Sequence, residues 1–375
     1  MSNKINYAPR LPKLFKELGM DNYKSLFLID VGASGGIDNR WKSFGEKLEA
    51  VGFDPLISEV ERLNKLNTNP KVRYEEGFIV YKDLDKCYPP ELRNNDSSFF
   101  NSFSRSSTVR AVQVKNYNYI QEHFNSGDSP VYSEKSVQLD DFVKKNSITD
   151  LDFLKIDTDG HDFPVLLGSE ESLQSASVLG VEIEAQFHGA PHPYANTFSN
   201  IDQFLRSKGF SLFNLDNYFY SRATLPSEFL YNLFAQTVNG HIQWGEAVYF
   251  RDLADKNYTQ RFNFPITLDK IIKLACLYEL YGLNDCAAEL LVNRADEFNF
   301  TQNLDVLLDA LTPSFKGETL TYRGYISKFD KNPDAWFPSI EEKISNRLSK
   351  YVISLSRILA KPLYWGYKFL KKIKK

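Results

Sequence analysis

The sequence predicts a doubly wound α/β sheet followed by a helical C-terminal region. Short apolar runs alternate with amphipathic stretches from residue 26 to about residue 252, and the first run ends in glycines. After residue 255 the spacing of apolar residues becomes helical. At 375 residues and 42% hydrophobic content, the chain can bury a sizeable core without disulfides or a structural metal.

Seven apolar runs are strand candidates, which is a number that one doubly wound sheet accommodates. They lie at 26–31, 48–53, 72–80, 153–156, 178–183, 210–215 and 247–250. Two amphipathic helices are predicted at 271–282 and 287–298, with Gly282 as a C-cap. Trp244, just before the last run, is expected to pack in the core.

Four regions follow from these patterns. We predict an N-terminal helical extension at 1–25, an α/β domain at 26–255, a small helical region at 256–340 and a tail at 341–375. A polar insertion at about 82–136 interrupts the α/β domain. It is far longer than ordinary loops, which predicts a lid or a substrate loop.

The tail differs from the rest of the chain in charge. The net charge of −3 does not favour a nucleic-acid partner, but residues 343–375 contain ten Lys or Arg and no acid. Their spacing around Trp365 predicts a basic amphipathic helix that binds an anionic membrane surface, with an oligomerising or solvated helix as the alternative. With three unpaired cysteines and no signal segment, we expect a cytoplasmic protein, peripheral at the inner face of the membrane.

The glycine segment that follows the first run predicts a nucleotide site. It reads Asp30, Val31, Gly32, Ala33, Ser34, Gly35, Gly36, so the middle glycine of a dinucleotide fingerprint is missing. Such a turn favours a small zwitterion such as the methionine half of S-adenosylmethionine over a pyrophosphate. The alternative is an ordinary strand-to-helix loop.

Two later segments extend the predicted cofactor site. Asp54 lies 22 residues after Gly32 at the end of the second run, where a carboxylate can accept hydrogen bonds from ribose hydroxyls. Glu76 and Gly77 end the third run, where adenine would lie, and Phe78 could cover a ring face. Simple strand packing is the alternative at those positions.

Ionisable residues cluster after the fourth and fifth runs. Asp157, Asp159, His161 and Asp162 follow 153–156, and the next run carries Glu182, Glu184, His188 and His192. Carboxyl ends of parallel strands meet at one edge of a sheet, so these groups should adjoin the nucleotide crevice. A metal site of Asp157, Asp159, Glu182, Glu184 and His188 would favour magnesium or manganese. The carboxylates could instead be satisfied by Lys155 and backbone amides.

Taken together, IDVGASGG, VGFDP, VQLDDF, LDFLKIDTDGHDFPVLLGS and VLGVEIEAQF resemble the FkbM-type S-adenosylmethionine-dependent methyltransferases over residues 26–252. The family usually has Ile-Asp-Val-Glu-Gly where this chain has Ile156-Asp157-Thr158-Asp159-Gly160. The resemblance implies a Rossmann-like class I methyltransferase sheet, a cofactor contact from Asp157 and O-methylation of a sugar or polyketide hydroxyl. With the predicted tail, it favours a saccharide or lipid-linked glycan acceptor. Trp244 and Glu246 could contact such an acceptor sugar, although packing in the core is the preferred prediction for Trp244.

Methyl transfer to oxygen needs a base near neutral pKa, and His161, with Asp159 to orient it, is the first candidate. His188 and His192 are second candidates; structural roles in loops are the alternative for all three histidines. Two other functions compete. Asp157-Thr158-Asp159 could be the metal-binding Asp-x-Asp of a glycosyltransferase, which would leave the glycine turn and Asp54 unexplained, or the chain could be a non-catalytic scaffold.

Overall fold

A computed structural model describes residues 5–87, 103–114, 131–230 and 236–337. Much of the predicted insertion and all of the tail at 343–375 lie outside these ranges, so the lid and the membrane surface stay predictions. Within the described ranges, no helix has the length and apolar character needed to cross a bilayer.

The chain divides into two compact units, Met1–Leu311 and Thr312–Lys375. The described part of the second unit contains a helix at Tyr322–Lys331 and a short 3-10 helix at Pro333–Trp336, where Trp336 stacks on Phe315 with ring centroids 4.0 Å apart. The first unit extends well past the predicted boundary at residue 255, because the helices that follow the last strand share a core with the sheet.

The strands of the first unit are β1 Leu26–Val31, β2 Leu48–Asp54, β3 Val72–Glu76, β4 Phe78–Ile79, β5 Ser136–Val137, β6 Phe153–Ile156, β7 Gly180–Gln186, β8 Ser211–Tyr220 and β9 His241–Phe250. Among the described residues, seven of them form one sheet in the order β3-β2-β1-β6-β7-β9-β8, and β4 pairs with β5. Neighbours from β3 to β7 are parallel, and β9 is antiparallel to both β7 and β8. The doubly wound prediction is confirmed.

The largest departures from the predicted strand bounds lie at one early run and at the last two strands, whereas β2 and β7 differ by one to three residues. The single run at 72–80 is two strands, because Gly77 breaks it with a φ of 149°. β8 and β9 are each ten residues long, whereas only 210–215 and 247–250 were expected. Their additional residues mix polar and apolar side chains, as in a half-exposed antiparallel pair, so the search for continuous apolar runs misses them.

Helices cover both faces of the sheet. In the described part of the first unit they are α1 Leu11–Glu17, α2 Ile57–Leu66, α3 Leu84–Cys87, α4 Ser107–Val114, α5 Leu139–Lys145, α6 Asp162–Leu167, α7 Glu170–Ser175, α8 Phe198–Ser207, α9 Tyr258–Arg261, α10 Leu268–Leu280, α11 Asn284–Arg294 and α12 Leu304–Leu311, with 3-10 helices at Asn39–Lys47 and Thr301–Asn303. The C-cap of α10 is Tyr281, one residue before the predicted Gly282, and Gly282 follows it with a φ of 70° in the left-handed conformation that ends many helices.

The alternation of β1 separates the two cores. Leu26 and Leu28 pack with α10 and α11 on one face, while Ile29 and Val31 pack with α5 to α8 on the other. Asp30 has the parity of Leu28 and therefore lies on the face that carries the C-terminal helices. These helices can thus contribute to any site that forms beside Asp30.

Buried ion pairs fasten α10 to the sheet. Lys270 and Lys273 reach the fully buried Asp152, with Nζ to carboxylate distances of 2.7 and 2.9 Å. Asp152 also accepts a hydrogen bond from the amide of Phe27, 2.9 Å away, at the start of β1. Charges this deeply buried are tolerated because they are paired.

The order of the strands locates the crevice. The chain proceeds outward from β1 to β2 and β3, then returns to the opposite side of β1 as β6. In open parallel sheets ligands bind at such a switch point, outside the carboxyl ends of the strands. The residues that follow β1 and β6 are the glycine turn and Asp157.

Candidate active site

The glycine turn adopts backbone angles that favour glycine. Gly32, Gly35 and Gly36 have φ values of 86°, 81° and 92°, in the left-handed region. A Cβ on Gly32 would lie 1.7 Å from the carbonyl oxygen of Asp157, and the Asp157 amide donates to the carbonyl of Val31 at 2.9 Å. The turn is therefore packed directly against the end of β6.

Several amides of this turn already bond within the protein. The amides of Gly32 and Ala33 both donate to the carbonyl of Phe53 at 2.9 Å. Glu59, on α2, accepts from the amide of Gly35 at 2.9 Å. A hydrogen bond from Arg62, together with the Gly35 contact, holds the pKa of Glu59 below its usual range. Sequence reasoning missed Glu59, because it lies 24 residues from Gly35 and no local motif marks it.

Asp54 and Glu76 are paired residues on neighbouring parallel strands. Asp54 is buried and accepts from the amide of Leu56 at 2.8 Å, and burial raises its pKa. Glu76 forms an ion pair with Lys135, and the amide of Gly77 donates to the carbonyl of Asp54 at 3.1 Å. The structure thus brings the predicted ribose and adenine residues together beside the glycine turn. Ser34, at the tip of that turn, is exposed.

Lys155 connects the ends of β1 and β6. Its Nζ lies 3.3 Å from both Asp30 and Asp157, and Asp30 is almost fully buried. Burial alone would lower the pKa of Lys155, but the Asp30 and Asp157 carboxylates outweigh it and the pKa is raised. Burial also raises the pKa of Asp30, against the effect of Lys155. Lys155 is therefore a fixed cation that joins the two strands.

Asp162 organises the loop after β6. Its buried carboxylate accepts from the Thr158 amide at 2.8 Å, the Thr158 hydroxyl at 2.9 Å, the Gly160 amide at 3.2 Å and the Asn196 side chain at 3.3 Å. Burial raises the pKa of Asp162 to about 6. Asp159 has a φ of 54° within this loop. Asp162 therefore supports the loop that presents Asp157 and Asp159.

A cavity of about 460 Å³ opens at the carboxyl ends of β6 and β7. Its walls combine carboxyl groups with aromatic rings and one amide: Phe103, Asp157, Asp159, Glu184, Gln186, Tyr220, Trp244 and Glu246. Asp157 thus belongs both to this cavity and to the packing of the glycine turn. We call this space the acceptor cavity, because it lies where the resemblance described above predicts an acceptor beside the glycine turn.

Two glutamates face each other across the strands behind the cavity. Glu184 of β7 pairs in register with Glu246 of β9, so both side chains lie on one face of the sheet. Burial, followed by repulsion from Asp162 and Asp157, raises the pKa of Glu184 to about 9. Burial and the charges of Glu182 and Asp157 raise the pKa of Glu246 to about 7. At neutral pH Glu184 is protonated, whereas Glu246 can give up or accept a proton.

Aromatic rings form another wall. Trp244 stacks on Tyr218 with centroids 4.0 Å apart and an angle of 26° between the planes. Its indole N–H donates to the hydroxyl of Tyr220 at 3.3 Å, and Phe103 packs 5.7 Å from Tyr220. The expectation that Trp244 lies in the core is wrong, because its half-buried ring lines the cavity. The alternation of Trp244 and Glu246 along β9 could have revealed their common face.

The three predicted histidines do not line the acceptor cavity. His161 precedes α6 and makes no side-chain cap hydrogen bond there, and burial lowers its pKa. The His188 ring nitrogen lies 2.7 Å from the carbonyl of Ile242. His192 accepts from the amide of Tyr194 at 3.2 Å. The contacts of His188 and His192 each stabilise the conformation of a loop.

Glu182 is occupied by a network beneath the cavity. Arg40 contacts its carboxylate at 2.7 Å, and the Tyr281 hydroxyl donates to it at 2.5 Å. Tyr281 follows α10, so the C-terminal helices reach this part of the sheet. A smaller cavity of about 180 Å³ touches these three side chains and shares Glu246 with the acceptor cavity.

The predicted metal ligands do not assemble into one set. Glu182 is held by Arg40 and Tyr281, and His188 by the Ile242 carbonyl, whereas Asp157, Asp159 and Glu184 line the cavity. In the parts of the chain that the structure describes, no group of three or more His, Cys, Asp or Glu is arranged to hold a metal ion.

Three solved structures are similar to this chain at low identity. A TehB-like SAM-dependent methyltransferase from Corynebacterium glutamicum is 11% identical, with a TM-score of 0.26 and 65% of this chain and 88% of that chain covered. A SAM-dependent methyltransferase from Aquifex aeolicus is 13% identical, with a TM-score of 0.27 and coverages of 65% and 91%. Magnesium protoporphyrin IX methyltransferase from Synechocystis is 12% identical, with a TM-score of 0.25 and coverages of 64% and 77%. No curated protein matches this chain.

A family model matches a large central segment. Residues 30–212 match the methyltransferase FkbM domain. The matched segment contains the glycine turn, Asp54, Asp157 and Glu184. It ends near the start of β8, before Tyr220 and Glu246.

Proposed function

Residues 30–212 of this chain belong to the FkbM methyltransferase domain family, and from that premise we propose that the protein transfers a methyl group from S-adenosylmethionine to a sugar hydroxyl. The main support for this proposal is that Asp157 contacts both the glycine turn and the acceptor cavity. Its carbonyl packs on Gly32 of the predicted cofactor turn, and the residue lines the acceptor cavity. A group bound at the turn would therefore adjoin a molecule in the cavity.

The residues at the turn fit the proposed cofactor. Asp54 would accept hydrogen bonds from the ribose hydroxyls, with Glu76 beside it on β3. The left-handed glycines let the backbone approach the methionine half closely. When bound, the sulfonium supplies the electrophilic methyl group; the chain has to hold the two partners in line and remove a proton.

The acceptor cavity supports a sugar as the second substrate. Carboxylates of Asp157 and Asp159 are good acceptors for hydroxyl groups. The Trp244 and Tyr220 side chains present aromatic surface to the same space, which suits the apolar face of a pyranose.

We further propose that Glu246 accepts the proton of the reacting hydroxyl. A carbon–oxygen bond forms to the methyl group, the carbon–sulfur bond breaks, and the O–H proton passes to the carboxylate. Glu246 lines the cavity, and its pKa of about 7 lets it be ionised at neutral pH. The sequence predicts a different base: His161 first, with Asp159 to orient it, and His188 or His192 second.

Calorimetric titration with S-adenosylhomocysteine tests the cofactor site. We expect Asp54→Ala to weaken binding by about 10- to 100-fold, since charge-assisted hydrogen bonds to ribose are lost. Glu75→Ala is the matched control, because Glu75 is a partly exposed carboxylate one residue from Glu76 and pairs with Arg73. Unchanged affinity in Asp54→Ala would contradict the assignment.

A ligand panel separates the proposal from its competitors. Thermal unfolding is measured with S-adenosylhomocysteine and with UDP- or GDP-sugars plus manganese. Stabilisation by the sugar nucleotides and manganese alone would favour a glycosyltransferase. If no ligand raises the temperature of unfolding, a non-catalytic scaffold is favoured. Release of S-adenosylhomocysteine in the presence of a panel of sugars would then measure the reaction.

A further inference from the structure

Four basic residues lie close, along the chain or through strand pairing, to residues that line the acceptor cavity. Arg105, Arg222, His188 and His241 form this group, which we call the cationic rim. Arg105 lies two residues after Phe103, and Arg222 lies two residues after Tyr220; Phe103 and Tyr220 both line the cavity. The rim therefore begins where the cavity wall ends.

Strand pairing brings these residues to one edge of the sheet. His241 begins β9 opposite Tyr220, the last residue of β8. His188 follows the end of β7, and its ring stacks on that of His241 with centroids 4.4 Å apart. The carboxyl ends of β7 and β8 and the start of β9 thus present both histidines together.

Backbone pairing places the two arginines beside them. Ser106 bridges to Arg222, and the Ala223 amide donates to the Arg105 carbonyl at 2.9 Å. The Arg105 side chain is exposed and that of Arg222 is half-buried. After burial, the charges of His188, Arg222 and Arg105 lower the pKa of His241, as expected for neighbouring cations.

The cavity and its rim have opposite charge. The cavity wall carries Asp157, Asp159 and Glu246, which would repel an anion. The rim would attract one, and guanidinium groups match phosphate oxygens in geometry as well as in charge. A ligand that satisfies both surfaces has a neutral hydroxyl-bearing part and an anionic end.

We propose that the cationic rim binds the phosphate or diphosphate of the acceptor, so that the acceptor is a phosphorylated sugar whose ring occupies the cavity. This inference rests on the proposed methyl transfer to a sugar hydroxyl. Such a group can come from a nucleotide or from a lipid carrier, and both share the chemistry that the rim recognises. The phosphate fixes which sugar hydroxyl reaches the cofactor.

The test uses the full chain saturated with S-adenosylhomocysteine. Calorimetry compares glucose 1-phosphate with glucose, and we expect the phosphorylated sugar to bind at least about tenfold more tightly, with an affinity that falls as salt is added. UDP-glucose and a prenyl diphosphate in detergent micelles are added as further probes. Tighter binding of the first indicates a nucleotide-linked acceptor, and tighter binding of the second a lipid-linked one.

Substituting both arginines of the cationic rim tests whether they bind the phosphate. Arg105→Gln with Arg222→Gln should weaken glucose 1-phosphate binding at least about tenfold, whereas the double lysine variant should retain part of the affinity. Arg206→Gln is the matched control, since Arg206 is an exposed arginine on α8 that pairs with Asp202. Thermal unfolding and the affinity for S-adenosylhomocysteine show whether each variant is folded.

Two results have distinct meanings. Equal affinity for glucose and glucose 1-phosphate, or an unchanged Kd in the folded double glutamine variant, would overturn the rim assignment while S-adenosylhomocysteine still binds. Failure to bind S-adenosylhomocysteine would instead overturn the proposed methyl transfer itself.

Discussion

The carbonyl oxygen of Asp157 lies 1.7 Å from the position that a Cβ on Gly32 would occupy. Gly32→Ala must therefore displace the end of β6, in addition to straining a φ of 86°. We expect the variant to lose at least about 3 kcal/mol in the free energy of unfolding, measured with urea, and to lose S-adenosylhomocysteine binding.

Gly35 offers a control in the same turn. Its φ of 81° is nearly the same, but a Cβ there would have no atom within 4 Å. Gly35→Ala should therefore cost only the backbone strain, about 1 kcal/mol. Equal destabilisation of the two variants would show that Gly32 is needed for its φ alone and not for its contact with β6.

Methyl transfer distinguishes the two proposed bases. Glu246→Gln keeps the size of the side chain and removes the proton acceptor from the cavity wall. We expect kcat to fall by about 100-fold or more while S-adenosylhomocysteine affinity is unchanged. The measurement is release of S-adenosylhomocysteine with the best acceptor from the sugar panel.

His161→Ala is the companion variant. If Glu246 is the base, this change should lower kcat far less than Glu246→Gln and should leave the pH profile in place. The reverse order, with His161→Ala the more damaging, would return the role of base to the histidine predicted from the sequence.

Stability should decline from acidic to alkaline pH because of the two cavity glutamates. Their pKa values in the folded protein, about 9 for Glu184 and about 7 for Glu246, lie above the usual 4.5. Folding therefore favours the protonated forms. That contribution is complete below pH 4.5 and is lost as the pH rises through 7 for Glu246 and through 9 for Glu184.

Urea unfolding at pH 5, 7 and 9 measures this dependence. Glu184→Gln mimics the neutral carboxyl group, so it should lose less unfolding free energy between pH 7 and 9 than the wild type does. Glu17→Gln, at a largely exposed carboxylate on α1, should follow the wild type. Parallel curves for wild type and Glu184→Gln would contradict the raised pKa.

The ion pairs beneath the sheet make a prediction about the C-terminal helices. Lys273→Met would leave Asp152 with Lys270 as its remaining lysine partner at a fully buried position. We expect a loss of about 3 to 5 kcal/mol in the free energy of unfolding, measured with urea. Lys13→Met removes an exposed lysine that pairs with Glu17 and should change stability by less than about 0.5 kcal/mol.

Unfolding should also remain a single transition for residues in the first unit. If Lys273→Met instead produced a separate early transition, the helices after residue 255 would unfold separately from the sheet. A single transition at lower urea concentration is the outcome that the shared core requires.

The juxtaposition of the glycine turn and Asp54 could be predicted from sequence because its signals are local. Gly32 and Asp54 each end an apolar run, and parallel pairing carries both to the same edge. The loop after β6 was likewise found from its order along the chain. Such features can be predicted from the two-residue alternation of strands and from the rule that ligands bind at the carboxyl ends of parallel strands.

Partners that meet only through packing could not be found in this way. Arg40 contacts Glu182 across 142 residues, and Tyr281 reaches the same carboxylate across 99. Glu182 therefore looked available for a metal in the sequence, although two side chains hold it in the folded protein. Glu246 was recognised as a possible sugar contact, but its pairing with Glu184 depends on an antiparallel register that no apolar run reveals.

The family match stops at residue 212, and the antiparallel pair of β8 and β9 supplies Tyr220, Trp244 and Glu246 from beyond it. In the proposed function, the matched segment holds the methyl donor and also contributes Asp157, Asp159 and Glu184 to the acceptor cavity, and the hairpin completes the cavity wall. One hairpin at the margin of the sheet could then be exchanged during evolution, or by grafting, without rebuilding the donor pocket. Selectivity for the acceptor would then change with this hairpin while the binding site for the methyl donor stays the same.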